Sequence, residues 1–348
     1  MKTEPNTFQL SKKHGGHLIF GLTPVVFLLL SCSPTLQTYS GGYFAMNCLI
    51  RVNLYSEKAN LGEPQLEVGK IFSLYDSLAD NTKRVQGHTN VYDINQTNEA
   101  VKVEKELFDL LKFSEEMKEE TFGYVNPLIG NLSDLWKNDL HFKDPETGEE
   151  APFLPSAADI QYYLDEMNDT ALVLDEQNLT VRRIGTAKID LGAIAKGYAA
   201  QKAKEWIAAN GFGAYLVDAG TSTIMLGEKN QKGDPWSIGI RGIDQKMKVK
   251  NTVIGTSGID AQEAIIDGVE YSHIVNPFTG SAHVDYFGVT LLGEDAAILD
   301  VLSTAFILMG VEEEEKLDMV NALSEKYDVS YVFYREGEVV KNQGVPFE

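Results

Sequence analysis

In VTLLGEDAAILDVLSTAFILMG, residues 289–310, a strand pattern gives way at Gly293 to an apolar helix closed by Gly310. Asp300 sits in the middle of that helix, among Ile298, Leu299, Val301 and Leu302. A carboxylate taken out of water is costly to keep charged unless it is paired, hydrogen-bonded or bound to an ion. Any fold of this chain must therefore bring something to Asp300. Glu294 and Asp295 need no such partner, because they fall in the first turn, where the helix dipole favours negative charge. Thr304 lies four residues beyond Asp300, on the same helix face. Two readings stand side by side. Asp300 is either a buried acid satisfied by backbone or Thr hydrogen bonds, or an oxygen ligand of a hard cation. Mg²⁺ takes one or two carboxylates and completes its shell with water and substrate phosphate.

A second apolar run carries charge as well. IDLGAIAKGYA, residues 189–199, offers Asp190, glycines that let a ligand approach the backbone, carbonyls near Gly192 and Ala193, and Lys196 to neutralise phosphate. The alternative is a tight strand-to-helix turn with Lys196 snorkelling outward. YSHIVNPFTG, residues 271–280, places His273 just before a Pro-containing turn, where an imidazole works as a base near neutral pH or simply hydrogen-bonds.

The 348 residues, 43% of them hydrophobic, suffice for one large unit or two fused lobes. A formal charge of −21 argues against a general nucleic-acid binder, which would cluster Lys and Arg against phosphates. FAMNCLIRVNLY (44–55) alternates like a strand. Helical spacing follows over 64–80 and 103–121, then a polar surface excursion over 137–156 and a short helix over 157–167. From Ala171 strands dominate, interrupted by a helix over 192–211 that Gly211 stops. Helices and strands mix without a regular βαβ period, which indicates an α+β fold.

At the N-terminus, Lys12 and Lys13 precede LIFGLTPVVFLLL (18–30). That run is shorter than the roughly 20 residues of a spanning helix and suits a secretory signal. Leu29-Leu30-Ser31-Cys32 resembles a bacterial lipobox, with Cys32 the lipidated residue. The expected organisation is a signal peptide over 1–31, a polar tether over 32–42, and a globular domain over 43–348 on the extracytoplasmic face of a bacterial membrane. Cys48 is the only other cysteine and reads as a small core residue.

DLGAIAKGYAA, HIVNPFTG and LDVLSTAFILMG, in this order behind a lipoprotein signal, resemble the ApbE family of FAD:protein FMN transferases. The similarity runs from about Phe44 to Gly310 and includes YVNPLIGNLSDLW (124–136). It implies an ApbE-like, T-fold-related arrangement of mixed sheets with flanking helices. It also implies that FAD is held by Met46, Tyr124, Val125, Asn126, Asp190, Lys196 and Ile274. Mg²⁺ would be bound by the Ala193 carbonyl, Asp300 and Thr304, with Ser303 at a position that is acidic in some members, and His273 would be the base. FMN would pass to a Thr or Ser hydroxyl of an extracytoplasmic redox protein, with AMP released. Hydrolysis of FAD by the same residues and non-enzymatic FAD storage are the competing functions. The chain departs from the family's pattern at Thr221, where many members have glycine, and at Gln201 and Asn276, which replace acids. Val85 stands where some members place an aromatic that stacks on FAD.

Overall fold

The computed structural model describes residues 36–348 apart from 146, 221 and 260–263. Met46 (φ 54°) and Asn47 (φ 58°) reverse the chain in a two-residue turn, so residues 44–55 are not one strand. They belong to a hairpin of β1 (Gln37–Ala45) and β2 (Cys48–Ser56), paired from Ala45↔Cys48 to Gln37↔Ser56. Two consecutive positive φ values match the right-handed twist of the paired strands. The hairpin corrects two expectations: the tether cannot extend to residue 42, and the folded domain begins before residue 43. The signal segment and Cys32 lie outside the described residues.

The hairpin leads into α1 (Pro64–Ala79), α2 (Val91–Asn95), β3 (Val101–Lys102), α3 (Lys105–Glu120), α4 (Gly130–Leu140) and α5 (Ala157–Asn168). Next come β4 (Ala171–Asp175), β5 (Thr180–Ile184), α6 (Ala195–Ala209), β6 (Ala214–Ala219) and β7 (Thr223–Leu226). A ribbon of β8 (Trp236–Gly239) and β9 (Lys246–Val249) precedes β10 (Thr252–Gly258), and β11 (Ala264–Ile266) pairs with β12 (Val269–Tyr271). The chain ends with β13 (Gly288–Gly293), α7 (Ala296–Met309), α8 (Glu314–Tyr327), β14 (Ser330–Arg335) and β15 (Glu338–Gln343).

Eight strands form an antiparallel sheet in the order β1-β2-β6-β7-β10-β13-β14-β15, and β3-β5-β4 form a smaller one. Both belong to one compact unit, Leu36–Glu348. The α+β expectation agrees with this mixture of elements.

Period-two alternation gives the large sheet two apolar faces. Val52, Val217, Met225, Val253 and Leu291 point into the main core beneath α1, α6 and α7. Leu226, Ile254, Leu292 and Val332 point the other way, into a smaller core closed by Trp236 and Met247 of the ribbon. α7 is buried on nearly every side, and apolar apart from Asp300, Ser303 and Thr304, because it lies between α6 and the sheet. Its Leu299 and Phe306 are fully buried, each contributing on the order of 1.5–3 kcal/mol relative to exposure. Gly255 of β10 permits this packing, since a Cβ there would lie 2.9 Å from Leu299.

Both ends of α7 follow sequence signals, one in a different role from that expected. Asp295 is the N-cap, its Oδ1 accepting from the N–H groups of Ala297 (2.8 Å) and Ile298 (3.0 Å). Gly310, at φ 70°, ends the helix.

Candidate active site

Asn95 of α2 fixes the entry to the site. Its side-chain amide donates to the Ile189 carbonyl (3.0 Å) and accepts from the Ile189 N–H (2.8 Å), so both backbone groups of a buried residue are satisfied at once. The next residues are tied to the segment before α4. Asp190 N–H donates to the Pro127 carbonyl (2.8 Å), and Gly130 N–H donates to the Lys188 carbonyl (3.0 Å). These bonds bring YVNP alongside DLGA, although some 60 residues of chain separate them. Tyr124, Val125, Asn126 and Asp190 consequently line one cavity of about 850 Å³.

Asp190 Oδ1 accepts from the Gly192 N–H at 2.7 Å. Its carboxyl is enclosed by protein apart from its cavity face, and burial pushes its pKa above the usual carboxylate range, against the opposing effect of the Gly192 N–H. Leu191 then accepts from both Ile194 and Ala195, which starts α6.

Gly197 breaks the pattern of that first turn. Its N–H, which in a regular helix would bond the Ala193 carbonyl, donates instead to Asp300 Oδ2 at 2.8 Å. The Ala193 oxygen is thereby left without its ordinary helical donor and lines the cavity. Asp300 Oδ1 accepts from Thr223 Oγ1 (3.1 Å) and lies 3.5 Å from Lys196 Nζ, with the Asp300 side chain 6% exposed. The buried acid of the sequence is therefore hydrogen-bonded and ion-paired, and it also reaches the cavity. The structural and ligand readings of Asp300 are compatible.

Thr304 lines the cavity too, its hydroxyl 3.3 Å from both the Asp300 carbonyl and Ser257 Oγ. Ser303 is fully buried. Its hydroxyl donates to the Asp300 carbonyl (3.0 Å) and meets Ser257 Oγ at 2.8 Å, so it braces Ser257 instead of facing the cavity. Among the described residues no three His, Cys, Asp or Glu side chains converge as a metal cluster. The fitting donor set is one carboxylate, one hydroxyl and one unbonded carbonyl. All are oxygens, as Mg²⁺ prefers, and water and phosphate would complete the shell.

His273 is exposed on the cavity wall and Ile274 is buried beside it. Ser272 holds both in place: its N–H donates to the Ala282 carbonyl (2.9 Å) and its hydroxyl accepts from the Ile274 N–H (3.1 Å). Met46 lines the same cavity from the hairpin turn, its N–H donating to Asp76 Oδ1 at 2.6 Å. Lys196 completes the set. The structure thus brings together every expected residue except Ser303.

The family model for ApbE matches residues 46–330. The chain belongs to the ApbE family. Similar proteins include the FAD:protein FMN transferase of Treponema pallidum, 26% identical over 299 residues and 80% of each chain. The FAD:protein FMN transferase of Klebsiella pneumoniae is 25% identical over 321 residues, 89% of this chain and 91% of its own. Among solved structures, an ApbE protein from Thermotoga maritima aligns with a TM-score of 0.75 at 26% identity, covering 88% of this chain and 97% of that one. The flavin transferase ApbE from Vibrio cholerae, 20% identical, shares the fold with a TM-score of 0.68 over 90% of this chain and 96% of its own.

The departures from the ApbE pattern now have structural content. Gln201 Oε1 accepts from the Ala296 N–H (3.0 Å), so it caps the start of α7 as an acid could. Asn276 Oδ1 accepts from the N–H groups of Phe278 (2.9 Å) and Thr279 (3.2 Å), which preserves the turn after His273. Val85 lies outside the cavity, in a separate open depression with His88 and Glu104. It therefore does not stand in for a stacking aromatic. Thr221 lies outside the described residues.

Sequence reasoning missed part of the wall. Ser133, Trp136, Lys137 and Leu140 line the cavity from one face of α4. The sequence pattern starts a surface excursion at residue 137, yet α4 continues to Leu140. The 3–4 spacing of these four residues was the available signal. Trp136 is anchored by Nε1 donating to the Gly280 carbonyl (2.7 Å) and by stacking on Tyr271, with ring centroids 5.4 Å apart.

Proposed function

We propose that this chain transfers FMN from FAD to a Thr or Ser hydroxyl of an acceptor protein, with release of AMP. One observation carries the reading: the unbonded Ala193 carbonyl, the Asp300 carboxylate and the Thr304 hydroxyl share a cavity with Lys196 and His273. Those three oxygens would hold Mg²⁺, which when bound neutralises pyrophosphate charge and makes AMP a better leaving group. Lys196 adds positive potential beside Asp300. Tyr124, Asn126, Asp190 and Ile274 bind and orient the dinucleotide. His273 takes the hydroxyl proton as the oxygen bonds to the flavin-side phosphorus, and the bond from that phosphorus to the bridging oxygen breaks. The electron pair leaves on AMP, and the acceptor keeps FMN as a phosphoester.

The supporting experiment incubates the domain with FAD, Mg²⁺ and an extracytoplasmic redox protein. A fluorescent flavin band on a denaturing gel, equimolar with AMP, is expected. AMP without a labelled band would identify an FAD pyrophosphatase, and neither product would identify a flavin-binding protein.

The signal-like segment and Leu29-Leu30-Ser31-Cys32 support an extracytoplasmic, lipid-anchored location. Among the described residues no helix is long and apolar enough to cross a membrane. Metabolic labelling with palmitate, lost in Cys32→Ser, tests the anchor.

A further inference from the structure

The chain that carries Asp190 into the cavity wall is held by side chains and not by strand pairing. β5 ends at Ile184 and α6 begins at Ala195, so the residues between them must find other partners for their buried backbone groups. Thr170 Oγ1 accepts from the N–H groups of Thr186 and Ala187, both at 3.1 Å. Asn95 takes both backbone groups of Ile189, and the Pro127 carbonyl takes the Asp190 N–H. Two carbonyls in this region still need donors. One belongs to Ala187, which is fully buried. The other belongs to Asn95 itself, the last residue of α2, where a helix leaves its carbonyls without partners of its own.

Arg183 of β5 supplies both. One terminal guanidinium nitrogen donates to the Ala187 carbonyl (3.0 Å) and the other to the Asn95 carbonyl (3.1 Å). Burying a guanidinium is costly, and Arg183 is only 7% exposed. Its planar fork fixes the two carbonyls relative to each other, which the single ammonium of a lysine would not do. Neither Arg183 nor Asn95 lines the cavity, so both act from behind its wall. The connection runs from Arg183 to Asn95, from Asn95 to Ile189, and along the chain to Asp190. Arg182, the next residue on β5, is exposed and donates to the Asn98 carbonyl instead (2.9 Å). Asp300 and Thr304 are placed by a different set of bonds, to Gly197, Thr223 and Ser257.

We propose that Arg183 is a positioning residue for flavin binding, which by joining the Asn95 and Ala187 carbonyls holds Asp190 where the dinucleotide meets it. The inference rests on the reading that Asp190 binds FAD. The test measures FAD affinity of the full chain by fluorescence titration, in the wild type and in Arg183→Lys. The variant is expected to bind FAD at least about fivefold more weakly, while AMP release at saturating FAD and Mg²⁺ stays within about twofold, because the reacting groups are held elsewhere. Amide deuterium exchange over residues 186–190 of the flavin-free protein should be faster. A double-mutant cycle separates positioning from general loosening. In an Asp190→Asn background, Arg183→Lys should weaken FAD binding by no more than about twofold, since the carboxylate it positions is gone. Arg182→Lys controls for the substitution and should leave FAD affinity unchanged. Arg183→Gln, which is neutral and can still donate to one carbonyl, replaces Arg183→Lys if that variant does not fold. Unchanged FAD affinity in a folded Arg183 variant, or a loss that adds in full to that of Asp190→Asn, would overturn the proposal. Failure of both Arg183 variants to fold would overturn it too, making the residue a determinant of folding. A wild-type chain that binds no FAD overturns the underlying reading instead.

Discussion

Gly197 donates its N–H to Asp300 Oδ2 at 2.8 Å, and a Cβ built on Gly197 would lie 2.2 Å from Asp300 Cβ and 2.6 Å from the Ala296 carbonyl. One missing side chain thus does three things. It lets α6 and α7 approach, gives the buried carboxylate a backbone donor, and diverts the N–H that would otherwise occupy the Ala193 carbonyl. The glycine in the sequence motif serves helix packing first, and ligand access follows from it.

Gly197→Ala should therefore be far worse than an ordinary helical Gly-to-Ala change, which favours helix by up to about 1 kcal/mol. The added methyl meets Cβ and backbone atoms that cannot swing aside, and overpacking of this kind costs typically 1–3 kcal/mol. Urea unfolding should show that loss. FMN transfer should fall further than stability does, because Asp300 is displaced.

Asp300→Asn separates charge from packing. The amide oxygen still accepts from Gly197 or Thr223, so folding should survive with a loss of about 1–2 kcal/mol. Transfer should drop by about 100-fold or more, since the only carboxylate of the proposed cation set is gone. In a Mg²⁺ titration the wild-type activity should be abolished by a chelator and restored by the ion. A variant as active and as Mg²⁺-dependent as the wild type would remove Asp300 from the site. Asp300→Ala should be less stable than Asp300→Asn, because it strands the Gly197 N–H, the Thr223 hydroxyl and Lys196 together.

Asp190 is held with its pKa raised by burial, so the folded empty protein binds that proton more tightly than the unfolded chain does. Stability then falls as pH rises from the unfolded value, about 4, through the folded one. Asp190→Asn, which keeps an oxygen for the Gly192 N–H, should raise the Tm of the flavin-free protein at pH 7. The gain should vanish below about pH 4, where both states are protonated. FAD affinity should fall about tenfold or more, as expected for losing a charge-assisted hydrogen bond. A flat difference in Tm from pH 4 to 7 would contradict the linkage.

Much of this was legible in the sequence because the chemistry-bearing residues interrupt apolar patterns. Asp300 and Lys196 stood out against Leu, Ile and Ala, and capping signals located α6 and α7. The hairpin was not legible, because Met46-Asn47 is not one of the Gly-containing pairs that usually mark such a turn. Thr223 was missed for a different reason. A threonine in a strand is ordinary, and only the pairing of β7 with β10 beneath α7 brings its hydroxyl to Asp300.

His273→Gln should leave FAD binding close to wild type, because the neighbouring wall is set by Ser272, Ile274 and the Asn276 turn. Removing a general base typically costs 10²–10⁴-fold. A loss of that size in transfer, with FAD affinity unchanged by fluorescence titration, is expected. Undiminished transfer would assign the proton to another group.

Asp295 tests whether the site depends on how α7 begins. Its Oδ1 caps two N–H groups from the helix's own start, and Gln201 of α6 caps a third, so the first turn of α7 has a local cap and one from a neighbouring helix. Loss of an N-cap costs typically about 1 kcal/mol. Asp295→Ala should lower stability by about that much in urea unfolding, with transfer reduced less than threefold, since Gln201 still ties α7 to α6. In Asp295→Ala combined with Gln201→Ala, the first turn of α7 loses both caps. Asp300, one helical turn further on, should then lose its alignment with Gly197, so the double variant should lose more activity than the product of the two single effects. Strict additivity in transfer rate would show that the caps do not act together on Asp300, whose position is then set by sheet packing and its own bonds to Gly197 and Thr223.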